Sequence, residues 1–184
     1  LVGSQDDLNE VRYCQSSHFR QVANVTLVGE WTPITNFTGG YQGAGRTIDG
    51  LTIAAPVDNT VGLFGTIDGG TVADVSLTNV AINAPQRSHV GALAGQTYAP
   101  ASMSGISAAG SVVGTGPVGG LVGYVEESEI SNSHADVAVT AATGSYSGGL
   151  AGLLYDSAVS DSSASGTVTG SSRTGGLAGG ADAS

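Results

Sequence analysis

One short pattern recurs through this 184-residue chain and limits what the chain can fold into. A Gly-Leu-x-Gly core places leucine at positions 63, 93, 121, 150 and 177. The copies read VGLFG (61–65), VGALAG (90–95), VGGLVG (118–123), SGGLAG (147–152) and TGGLAG (174–179). Successive leucines stand 30, 28, 29 and 27 residues apart. Self-similarity at such a period is the signature of a solenoid, in which each unit buries its apolar side against its neighbours.

Between markers, apolar residues alternate with small polar ones, as in TVADVSL (71–77), EISNSHADVAV (129–139) and AVSDSSASGTV (158–168). Alternation at period two marks strands. About three short strands separated by Gly, Ser or Asn turns fill one repeat, which is one coil of a parallel β-helix. The expected fold is therefore all-β: a right-handed parallel β-helix (solenoid) of about 28 residues per rung. At ~4.8 Å per rung, roughly six or seven rungs give a rod on the order of 30 Å long.

Composition agrees. Hydrophobic residues reach 40%, too many for a disordered chain, yet aromatics are only 5%, so Val, Ile, Leu and Ala must fill the core. Glycine numbers 30 against five prolines, without a Gly-X-Y period, which excludes collagen and Pro-rich linkers. Glycine is expected to supply positive φ at corners and to let backbones approach, with the doubled Gly before Leu at a corner. A flexible linker would lack the regularly placed Leu and Val.

The net charge is −10, and all five basic residues are arginines (Arg12, Arg20, Arg46, Arg87, Arg173), so nucleic acid is not an expected partner. Such an acidic surface fits either a high-salt habitat or an acidic secreted protein. Cys14 stands alone and forms no intramolecular disulfide. No run of about 18 apolar residues is present, so no membrane span is expected in this chain. It starts at Leu1 and stops just after a marker, at Ser184, as a processed protein or a fragment of a longer array would.

Residues 1–30 differ from the repeats and are assigned to an N-terminal cap, leaving 31–184 to the rungs. Ser4 followed by Asp7 forms a capping box, and Leu8 and Val11 share one face, so a short helix is expected at about residues 5–13. Val22 to Leu27 is the candidate first strand. Such a cap covers strand edges that would otherwise pair with other chains.

Beyond it come Glu30-Trp31-Thr32-Pro33-Ile34, then Phe37-Thr38-Gly39-Gly40-Tyr41, then Gly43-Ala44-Gly45-Arg46-Thr47-Ile48-Asp49-Gly50-Leu51-Thr52-Ile53 and VGLFG. From Leu8 to Gly179 this ordering resembles the β-helical GLUG-motif repeats of bacterial and archaeal surface proteins. Related regions occur in adhesins and beside the catalytic part of immunoglobulin A-cleaving metallopeptidases. The resemblance implies the fold and an extracellular, cell-surface setting, whereas the active parts attached to such repeats differ. Ala92 replaces the second Gly of its marker, and residues 96–106 depart from the template, where a loop or bulge is expected.

His18, His89 and His134 are isolated, and none begins the His-Glu-x-x-His of a zinc protease. Gly-x-Ser-x-Gly is missing, and the serines read as solvated turn residues without an adjacent base. Gly114 to Gly119 matches Gly-x-Gly-x-x-Gly, but it merges into a marker, no helix follows, and Pro117 removes an amide that a pyrophosphate would use.

Glu126, Glu127 and Glu129 cluster on one turn with Asp156 and Asp161 in the matching stretch of the next rung. Stacking could gather them into a Ca²⁺ or carbohydrate site, although a solvated acidic edge is the favoured reading. Arg87 and Arg173 are the candidate bases for a polysaccharide lyase in the repeats. The threonines at Thr140 to Thr143 and Thr167 to Thr169 are too irregular for an ice-binding ladder.

Trp31, Phe37 and Tyr41 could stack sugars, with core filling favoured. Tyr98, Tyr124, Tyr146 and Tyr155 follow the markers and are the expected outward row for a glycan or partner. Asn24-Val25-Thr26 and Asn36-Phe37-Thr38 match glycosylation sequons. The expected function is a non-enzymatic structural or adhesive surface module without catalytic, cofactor-binding or metal residues. It would bind a surface glycan or protein, or self-associate into a fibre. The competing expectations are a filament subunit stacking through solenoid ends and a fragment of a β-helical polysaccharide-active enzyme.

Overall fold

The computed structural model describes residues 1–54, 56–142 and 145–183; Thr143 of the threonine run and Ser184 lie outside the described residues. The described strands join into one 12-stranded sheet and two five-stranded sheets. Every pairing between named strands is parallel. The chain is an all-β parallel solenoid of about five turns with one short helix at its start, as the repeat implies.

One coil can be followed from Glu129. A broad face carries Glu129–Ser131 and His134–Ala141, a narrow face Ser147–Gly148, and a return face Ala151–Tyr155, before Ala158–Ser160 starts the next broad face. On the return face Phe64, Ala94, Val122, Ala151 and Ala178 are successive partners, which reproduces the leucine spacing. On the broad face His18, Gly40, Thr71, Ser102, Glu129 and Ala158 stack six deep, within the expected rung number.

The core tapers. One inward column runs Val25, Ile48, Leu77, Ala108, Ala135, Ala164. Large side chains fill the N-terminal end, where Phe37 and Phe64 lie 4.9 Å apart and Tyr41 meets Phe64 edge-on at 6.1 Å. Trp31, Phe37 and Tyr41 are all buried, so they fill the core rather than offer a platform. Trp31 Nε1 donates to the Leu63 carbonyl at 3.0 Å, and Tyr41 donates to Gln21 Oε1 at 3.2 Å. Towards the other end the coil thins until a methyl at Gly120 would lie 3.0 Å from the Ala135 Cβ. Ala92, by contrast, buries its methyl in its own rung.

Every marker glycine except Gly176 serves close approach. None has positive φ. A methyl on Gly123 or Gly152 would run into the amide nitrogen of Val90 or Val118, respectively. The doubled Gly does stand at a corner, the bend between the narrow and the return face, but without the expected positive φ; the left-handed corners fall elsewhere. One column holds Gly69, Ala99, Glu127 and Asp156, and a second holds Asp74, Gly105, Asn132 and Asp161, all with positive φ. Asp and Asn suit such turns because their short side chains tolerate the conformation best among residues with a Cβ.

Two of the turn serines are buried rather than solvated, contrary to expectation. Ser128 and Ser133 are only 6% and 3% exposed. Each hydroxyl donates to the carbonyl two residues back, Ser128 to Glu126 at 2.6 Å and Ser133 to Ser131 at 2.8 Å. Amides of one rung donate to serine hydroxyls of the next: Ile106 N–H to Ser133 Oγ at 3.1 Å, Ser128 N–H to Ser157 Oγ at 3.1 Å and Ser133 N–H to Ser162 Oγ at 3.0 Å. Stacking turns these serines into a ladder that satisfies buried backbone groups.

At the start, the helix Gln5–Glu10 continues as a 3₁₀ turn Val11–Tyr13. Ser4 Oγ accepts the Asp7 amide at 3.2 Å, and the Asp7 carboxylate accepts the Gly3 amide at 2.9 Å. The Gly3 amide first and the Ser4 side chain second hold the Asp7 carboxyl below its usual range. The first strand is not Val22 to Leu27. Strands form instead at His18–Arg20 and Val25–Thr26, because buried Gln21 bends the chain between them through bonds to the carbonyls of Ala23 and Thr47.

The departure at 96–106 does not protrude. Ala94–Tyr98 and Ser102–Ser104 stay in register, and Met103 and Ile106 are buried. The irregularity is absorbed by a corner of residues 99–101, where the next rung uses 127 and 128. Loops bulge instead at 84–88 and around Val57, which is 83% exposed.

Candidate binding face

On the return face the corner glycine reverses the simple alternation, so that Val122 and Val125 point inward while Tyr124 and Glu126 lie outward. Register then fixes two outer columns. One runs Thr66, Gln96, Tyr124, Leu153, Gly180. The other pairs Asp68 with Tyr98 and carries Glu126, Tyr155 and Asp182 in successive rungs; Val125 pairs with Thr97, which brings Glu126 level with Tyr98. Carboxylates and tyrosines alternate along it.

The four tyrosines therefore share one side of the molecule but not one row. Tyr98 and Tyr155 occupy the same column two rungs apart, and Tyr124 stands beside them. Tyr146 precedes the narrow face and reaches over from its edge, so that a methyl on Gly180 would touch its ring. Two partners the sequence did not suggest sit along that edge. The Arg173 guanidinium lies 4.6 Å from the Tyr146 ring centre, and the His89 ring lies 5.7 Å from that of Tyr124.

Burial first, then the negative charges of Glu126, Tyr155, Tyr98 and Asp182, raise the Tyr124 phenol above its usual value. Burial lowers the His89 imidazole. Both directions favour neutral rings here near neutral pH.

The acidic cluster separates only in part. Glu126 belongs to the tyrosine column, Glu127 and Asp156 occupy one corner column, and Asp161 sits on the other corner with Asn132. Glu127, Glu129, Asp156 and Asp182 line a cleft of about 660 Å³ together with Ser128 and Ser157. Among the described residues no three of His, Cys, Asp and Glu are grouped so as to hold a metal ion. Of the two lyase candidates, Arg173 is engaged with Tyr146, and Arg87 lines a small cleft with Pro56, Pro85 and Gln86.

Stacking does give two serines a base, which the linear sequence hid. His134 Nδ1 is 2.8 Å from Ser163 Oγ, and its Nε2 is 3.3 Å from Ser165 Oγ. The connectivity is not that of a nucleophile–base–carboxylate relay. A hydroxyl rather than a carboxylate holds Nδ1, and Asp136 accepts from Ser165 at 3.2 Å instead of orienting the imidazole.

Comparison with known proteins places these rungs. Residues 114–140 and 143–169 match the GLUG motif. Over 130 residues, 70% of this chain, the sequence is 34% identical to Halomucin of Haloquadratum walsbyi, and the aligned stretch spans 1% of that protein's length. No solved structure matches the chain. No helix among the described residues is long and apolar enough to cross a membrane. The third and fourth markers lie inside the matched segments, and the register continues from those GLUG-motif rungs into their neighbours.

Proposed function

We propose that the chain is a stiff, non-enzymatic module of an extracellular cell-surface protein and attaches through its outer faces to a surface glycan or protein. The observation that carries this reading is the return face: a rigid parallel sheet presents tyrosines and carboxylates in fixed register, while the apolar residues are consumed inside the coil. The GLUG match and the likeness to Halomucin, whose name denotes a mucin, support it. The module needs no cofactor in this role.

Beads coated with the purified chain test the reading. Retention on source cells or their shed matrix above that of albumin-coated beads is the expected result. Equal retention would overturn it. Release of new reducing ends or unsaturated sugars from the bound material would establish the polysaccharide-active alternative.

A further inference from the structure

We propose that the outer side of the return face binds a neutral polysaccharide laid along the solenoid axis, which rests on the adhesive reading above. Tyr98 and Tyr155 share a column with one rung between them. At ~4.8 Å per rung their separation is roughly 10 Å along the axis, about the reach of a disaccharide. A chain lying across the rungs can therefore set every second sugar against a tyrosine, whose ring offers an apolar surface and a hydroxyl.

Glu126 lies in the rung between, and Asp182 follows Tyr155. Both carboxylates can accept hydrogen bonds from sugar hydroxyls, and both repel a polyanion, as does the net charge of −10. That selects a neutral chain over an acidic one. Tyr124 and Tyr146 widen the surface on one side, each braced by a neighbour, His89 at 5.7 Å and Arg173 at 4.6 Å. A site held by side chains that are already braced on a rigid sheet loses little freedom on binding.

Titration of the full chain with cellohexaose, chitohexaose and hexagalacturonate, read by calorimetry and tyrosine fluorescence, tests this. Saturable binding of at least one neutral hexasaccharide and at least tenfold weaker binding of hexagalacturonate are expected. Tyr155→Ala and Tyr98→Ala should each weaken the neutral ligand tenfold or more. Tyr13→Ala, in the cap and 74% exposed, should leave it unchanged. If Tyr155→Ala unfolds, Tyr98→Ala, whose ring is 39% exposed, decides the matter alone. No binding of either neutral hexasaccharide, equal binding of the acidic one, or an equal loss in Tyr13→Ala would overturn the proposal. Beads that adhere to cells while neutral hexasaccharides fail to bind would leave the adhesive reading standing and point to a protein partner; beads that do not adhere would remove that reading itself.

Discussion

A methyl added at Gly123 would come within 2.5 Å of the Val90 amide nitrogen and 2.6 Å of the Gly95 carbonyl oxygen, whereas at Gly176 it would meet nothing within 4 Å. Both glycines belong to markers, and the sequence pattern makes them equal. The difference is position: Gly123 closes a corner against the previous rung, while Gly176 lies in the last one. Gly123→Ala is expected to lower stability by about 3 kcal/mol through overpacking. Gly176→Ala should change it by less than about 0.5 kcal/mol. Urea unfolding of the two variants measures both.

Thr97 makes the converse case. Its hydroxyl is buried without a hydrogen-bond partner, in an inward column between Ile67 and Val125. An unsatisfied buried hydroxyl costs about 1–3 kcal/mol. Thr97→Val is therefore expected to raise the urea midpoint, and a lowered midpoint would mean the hydroxyl has a partner. No pattern in QTYAP reveals this, because Gln96 or Thr97 points inward only once the register is known.

At the scale of elements, alternation and the marker spacing made the rungs legible, and Ser4 with Asp7 made the helix legible. The strand break at Gln21 was hidden, since its cause is bonding to Ala23 and Thr47 across the fold. The serine ladder was hidden for the same reason. Read along the chain, Ser133 is a turn residue; stacked, it accepts the Ile106 amide and occupies a corner that Val75 and Ile106 fill with apolar side chains in earlier rungs. Ser133→Ala strands that buried amide and should lower stability by about 1–2 kcal/mol. Hydrogen exchange at the Ile106 amide, faster in the variant, locates the loss.

For the whole molecule, the tyrosines were legible as an outward set, but their arrangement was not. Two share a column, one stands beside it, and one reaches in from the narrow edge, because the corner glycine shifts which residues face out. The acidic residues read as one cluster in sequence; in space Glu126 joins the tyrosine column and Asp161 the second corner, while Glu127, Glu129 and Asp156 meet at one cleft. The binding face thus depends on rung register.

Cross-linking tests that register most directly. Glu129 and Ala158 are exposed strand partners in adjacent rungs, and neighbouring parallel strands about 4.8 Å apart lie within the Cα range of a disulfide, ~4.4–6.8 Å. With Cys14→Ser as background, the pair Glu129→Cys and Ala158→Cys should close under mild oxidation, seen as a gel shift and a cross-linked peptide by mass spectrometry. Failure of that pair, or preferential closure of the slipped pair Glu129→Cys and Ser160→Cys, would contradict the register and the face built on it.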